Sequence, residues 1–136
     1  MSLFALVLAT LLQSSPAPLE TVAHDAMSGI QEPRQAVARA AEEWATLWRA
    51  HAGDRPSPRV DFSTTMVLAV FLGSRPSSGY SVEVVSTRAV GNGLVVTWSE
   101  RRPAPDMMSA QVLTSPAHIV AVPKVAGVIR FEKAGR

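Results

Sequence analysis

Hydrophobic and polar positions change period partway along the chain. In "AAEEWATLWRAHAG", Trp44, Leu47, Trp48 and His51 fall at i, i+3, i+4 and i+7, one face of a helix. Glu42 and Glu43 lie near its start and Arg49 and His51 near its end, both suited to the helix macrodipole. Gly53 supplies a left-handed stop, while no Ser, Thr, Asp or Asn caps the start. After "DRPSPRVDFS" the period becomes that of strands. "MVLAVFLG" is a continuous apolar run, the pattern of a central strand covered on both faces. "YSVEVVSTR" alternates, with Tyr80, Val82 and Val84 on one face and Ser81 and Glu83 on the other. "GNG", Gly91–Gly93, is a turn signal leading into the strand "LVVTWSE". "RRPAPDMMS" reads as a Pro-bounded loop, and "AQVLTS", "HIVAVP" and "GVIRFEK" as further strands. Upstream, "ETVAHDAMSGI" holds a short strand ending near Gly29, and "QAVARA" fits either a strand or a helix start. Strands joined by short turns imply antiparallel neighbours. The expected fold is therefore α+β, a single domain with one main helix packed on an antiparallel β-sheet.

Composition narrows the function classes. The chain has 136 residues, 47% hydrophobic and 18% charged, which suits one domain with a packed core. The absence of cysteine excludes disulfides, thiolate catalysis, cysteine zinc sites and cysteine lipid anchors. The formal charge is +2, and Arg101–Arg102 is the only adjacent basic pair, a poor footprint for nucleic acid. The apolar run Leu3–Leu12 is too short to span a bilayer and fits the core of a secretory signal peptide. Ser15, Ala17 and Pro18 put the expected cleavage after Ala17, although "MS" before the run carries no Lys or Arg. A buried N-terminal strand or an uncleaved anchor is the competing reading. Residues 1–18 are thus expected to be an export signal or N-terminal anchor, and residues 19–136 a domain of the periplasm or exterior. No transmembrane span is expected to remain after cleavage.

Candidate chemistry is sparse. In "GSRPSSGY", Gly73 and Gly79 can take positive φ and Pro76 stiffens the connection between Leu72 and Tyr80. It reads as a hairpin loop, with Arg75, Pro76, Gly79 and Tyr80 as a second reading, an exposed rim for a partner. Met107 and Met108, in a Pro-flanked loop, are the other candidate partner contacts, set against a loop folded over the end of the core. Trp44, Trp48 and Trp98 read as core. His24, His51 and His118 have no metal-ligand spacing, so no metal or cofactor is assigned. His118 reads as a strand-edge side chain bonded to backbone. The chain lacks a Gly-x-Ser-x-Gly elbow, and "GNG" lacks the Lys-Ser/Thr and helix of a phosphate loop. A hydrolase built on His118 and a carboxylate is the weakest reading.

Three stretches, "EEWATLWRAHAG", "PRVDFSTTMVLAVFLGSRPSSGYSVEVV" and "PDMMSAQVLTSPAHIVAVPK", together resemble the PrcB-like protease-complex-subunit family in its C-terminal domain. The similarity runs over most of residues 60–123, with "FLGSRPSSGYSVEV" and "TSPAHIVAVP" its most recognisable pieces. The resemblance implies an exported, non-enzymatic subunit that associates with and stabilises a bacterial surface protease. The lipid-anchored form is excluded here, because the chain has no cysteine. The alternative is a small-ligand or peptide-binding module of the cell envelope, using the loop around Arg75–Tyr80.

Overall fold

A computed structural model describes residues 16–135. The elements are β1 (Pro16–Ala17), β2 (Glu20–Asp25), β3 (Arg34–Ala38), α1 (Ala41–Ala52), β4 (Thr65–Phe71), β5 (Ser81–Val90), β6 (Gly93–Arg101), β7 (Ala117–Pro123) and β8 (Ile129–Lys133). The apolar run of the expected export signal, Leu3–Leu12, lies outside the described residues. At that segment's end, Pro16 and Ala17 pair with Arg88 and Thr87 of β5.

The layering follows from β4. Its side chains from Met66 to Phe71 are all buried, and alternation sends them to two faces. Val67, Ala69 and Phe71 pack under Trp44, Leu47 and Trp48 of α1, together with Ala117 and Ile119. Met66, Leu68 and Val70 meet Val82, Val84, Leu94 and Val96 of a second sheet. The strand order is β2-β7-β4-β3 in the first sheet and β1-β5-β6-β8 in the second.

This corrects the expected α+β arrangement of one helix on one antiparallel sheet. Among the described residues the fold is mainly β, two packed sheets with a single short helix on the outer face of one. A continuous apolar run announces that both faces of a strand are covered, but its pattern is the same whether helix or sheet does the covering. The antiparallel expectation also fails at one ladder: β8 runs parallel to β6, from Leu94↔Ile129 to Trp98↔Lys133. The chain reaches β8 from β7 in the other sheet, so no tight turn forces reversal. "AQVLTS" is not a strand. Among the described residues it makes only isolated bridges, Thr114 with Arg75 and Ser115 with Met27.

Helix α1 forms as its pattern predicts. Ala40 offers no side-chain cap; instead the Glu43 carboxylate accepts the Arg39 N–H at 2.7 Å. Gly53 ends the helix at φ 62°. The two indoles use their polar ends to hold the following segment: Trp44 Nε1 donates to Pro58 O at 3.1 Å and Trp48 Nε1 to Arg55 O at 2.7 Å.

The β5–β6 hairpin turns on Gly91–Asn92, with Gly91 at φ 60° and no positive-φ residue at Asn92. That is the glycine-first turn suited to a twisted hairpin. Gly93 serves a different need. A Cβ there would lie 2.1 Å from Val128 O, on the backbone that leads into β8. Gly91→Ala meets no neighbour and should cost about 1–2 kcal/mol through its left-handed backbone alone. Gly93→Ala must displace the β8 lead and should cost about 3 kcal/mol, the upper part of the overpacking range. Paired urea titrations would show the order, and equal costs would mean that the Val128 approach is not tight.

Candidate partner-binding site

Residues 72–80 are not a hairpin loop. β4 and β5 lie in different sheets, so the segment crosses from one sheet to the other at one end of the sandwich. There it meets the second candidate segment, 102–116. Arg75 N–H donates to Thr114 O at 2.7 Å and Thr114 N–H to Arg75 O at 2.9 Å. Ser78 N–H donates to Ala110 O at 3.1 Å, and Ala110 N–H to Ser78 Oγ at 2.9 Å. Thr114 Oγ1 donates to Ser77 O at 2.9 Å. On its other side the same segment is tied to residues 26–28, through Ser115 N–H to Ala26 O and Ser28 N–H to Ser115 O. Gly79, at φ 96°, lets Pro103 pack where its side chain would be, a Cβ there lying 2.8 Å from Pro103 Cβ. The two stretches singled out in the sequence therefore form one surface.

Within it the candidates divide. Arg75 is turned into an ion-pair cluster. Its Nε donates to Glu100 Oε2 at 2.9 Å, and its Nη1 to Leu72 O and Ser74 O. Lys133 Nζ reaches the other Glu100 oxygen at 3.2 Å. The Glu100 side chain is only 3% exposed. The Arg75 hydrogen bond, opposed by burial and helped by Lys133, holds the Glu100 carboxyl below its usual range. Tyr80 is half-buried, with the Arg75 guanidinium 6.0 Å from its ring centre. Pro76 is exposed. Met107 and Met108 are 59% and 98% exposed, and the neighbouring Val112, Leu113 and Met27 are exposed as well. Large apolar side chains exposed on these linked segments are candidate contacts for a partner.

Sequence spacing gave no hint of a second cluster beside this end. His51 lies on α1 with no exposed side-chain surface, its Nε2–H donating to Asp25 Oδ2 at 2.7 Å. Its Nδ1 lies 2.8 Å from Ser28 Oγ. Burial raises the Asp25 carboxyl, but His51 and Arg55 outweigh it and hold it below its ordinary value. Ser, His and Asp are thus linked in the order of a hydrolase triad but through the opposite ring nitrogens, since a triad places its Asp on Nδ1 and its Ser on Nε2. The surroundings make them an anchor instead. Ser28 is 4% exposed, its oxygen also accepts the Ile30 N–H at 3.0 Å, and the adjoining cleft reaches Asp25 and His51 without being lined by Ser28. A nucleophile needs a substrate carbonyl within reach, and Ser28 is buried with its oxygen engaged by His51 and the Ile30 N–H. Asp25 and Ser28 are close in sequence, but His51 lies 23 residues beyond Ser28, so only folding brings the three together.

His118 is likewise not at a strand edge. It sits in β7, between β2 and β4. Its ring bonds Thr21 and the backbone of β5 and has no carboxylate as hydrogen-bond partner. The arrangement suggested for a His118-based hydrolase is therefore not formed.

Among the described residues, no helix is long and apolar enough to cross a membrane. No curated protein and no solved structure matches the chain. Residues 66–123, which run from the second residue of β4 to the end of β7 and take in both segments of the loop surface, match the model of the PrcB C-terminal family, in agreement with the ordered resemblance of these stretches.

Proposed function

We propose that this is an exported, non-catalytic domain that binds and stabilises a protease through the loop end of its sandwich. The observation that carries the reading is the family match over residues 66–123, which includes Arg75–Tyr80 and the exposed Met107–Leu113 stretch. The matched family's name relates to a protease complex, and that supports an accessory role. The physical character of the surface supports a protein partner. Methionine side chains are flexible and polarizable and adapt to a partner's shape, and the loops beneath them are pinned by main-chain bonds. A surface whose backbone is already ordered loses less entropy on binding.

The test is affinity capture from an envelope extract with the chain against Met107→Ser/Met108→Ser and Leu113→Ser variants. Recovery of a protease by wild type, reduced at least tenfold by the substitutions, is the expected result. If the same proteins are recovered by wild type and variants, the surface lies elsewhere. If no protease is recovered, the accessory role is wrong for this chain.

A further inference from the structure

The two sheets are joined at one side by histidines. Among the described residues β1 pairs with β5 at Thr87 and Arg88, after which the chain leaves for the other sheet as β2. Next to this departure the β5 ladder shifts register between Val84 and Ser86. Two backbone groups of β5 beyond the β1 pairing are taken by side chains of the opposite sheet. Val84 N–H donates to His118 Nδ1 at 2.8 Å, and His24 Nε2–H donates to Val82 O at 2.8 Å. The two rings stack with centres 4.3 Å apart. His118 is 3% exposed.

These partners fix the proton. Nδ1 of His118 receives an N–H, so the ring hydrogen is on Nε2, which gives it to Thr21 Oγ1 at 2.9 Å. A second proton could go only onto Nδ1, where it would face the Val84 N–H. The ring cannot be charged and keep this bond. We propose that His24 and His118 form an acid-released clasp that holds β5 against the first sheet, and that protonation of His118 lets the Val82–Val84 stretch separate from it.

The charged surroundings agree with this sense. From β2 the groups facing His118 are His24 and the neutral Thr21; from β5 the charge that bears on it is Glu83; Val70, its neighbour on β4, is apolar. Burial first, and then His24, push the His118 value down to about 4 from 6.5, against a smaller opposing pull from Glu83. The closed clasp therefore binds fewer protons than the open one between these values. Closure is fully favoured above pH 6.5 and weakens as pH falls towards 4, by about tenfold per pH unit. The clasp rests on this geometry alone and does not depend on a partner.

Amide hydrogen exchange followed by NMR between pH 7 and 4, corrected for intrinsic rates, tests it. The protection of the Val84 amide should fall by roughly 100-fold over this range, while the amides of Leu68 and Val96 keep theirs. His118→Asn retains an acceptor near the Nδ1 position and cannot be charged, and it should remove the pH dependence. Three results would overturn the clasp: Val84 protection that does not change with pH, protection lost together with Leu68 and Val96, or an unchanged pH dependence in His118→Asn. Wild type alone decides the first two, so the inference remains testable if the variant folds poorly.

Discussion

His51→Ala should be among the most damaging single substitutions in this domain, at about 4 kcal/mol. The ring is enclosed by Trp48 and Phe71, with centroids at 5.3 and 5.9 Å, and bonds Asp25 and Ser28 at its two nitrogens. Truncating it opens a cavity in a packed region, which costs about 2–5 kcal/mol for a large side chain. It also removes one partner from a carboxylate and a hydroxyl, worth about 1–3 kcal/mol for a buried group left unsatisfied. Arg55 still reaches Asp25 at 3.1 Å, which moderates that loss. Ser28→Ala should cost only about 1–2 kcal/mol, because it deletes a hydroxyl and leaves the ring in place. Urea denaturation of both single variants and the double variant gives the coupling between them. A His51→Ala cost below about 1 kcal/mol would show that the cluster does not anchor α1 to the β2 end.

Arg75→Ala should also be costly, at about 2–3 kcal/mol, and the reason bears on any binding experiment. Breaking a fully buried ion pair costs about 3–5 kcal/mol. Arg75 is one-quarter exposed and Lys133 stays beside Glu100, so a smaller loss is expected. Leu72 O and Ser74 O lose their donor at the same time. Met107→Ser and Met108→Ser, by contrast, change side chains that are mostly in solvent and should stay within about 0.5 kcal/mol of wild type. Lost binding in an Arg75 variant would therefore combine a weakened loop with a missing contact. Lost binding in the methionine variants would report the surface itself. Thermal melts of the three proteins separate the effects, and an Arg75→Ala variant as stable as wild type would return Arg75 to the set of free contact residues.

What the sequence made legible was local. The α1 face, its glycine stop, the two-sided burial of β4 and the Gly91 turn each depend on residues within one element or one turn of it. The helix-on-one-sheet architecture went wrong because coverage of β4's second face comes from β5 and β6, and nothing in "MVLAVF" distinguishes a sheet above from a helix above. The parallel β8 was missed for the same reason, since its neighbour β6 lies beyond β7 in the chain. At the candidate site the residue types were readable but their roles were not. Arg75 looked free because Glu100 and Lys133 approach it from two distant strands. His51 was readable only as part of the α1 face because its partners Ser28 and Asp25 lie 23 and 26 residues away in sequence.

The order of strands in the first sheet bears on how the chain reaches its native state. Its two central strands, β4 and β7, pair from Thr65↔Pro123 to Phe71↔Ala117, and β2 then pairs with β7 from the far end of the chain. In the second sheet, by contrast, the β5–β6 hairpin closes across two residues. The hairpin can therefore form early, whereas the first sheet waits for residues near 120 and must close long loops before its contacts repay the lost chain entropy. Until β7 is available, β4 lacks the neighbour on one of its two edges, even where α1 and the β5–β6 hairpin already cover its faces. That unpaired β4 edge is open to aggregation until residues 117–123 have been delivered.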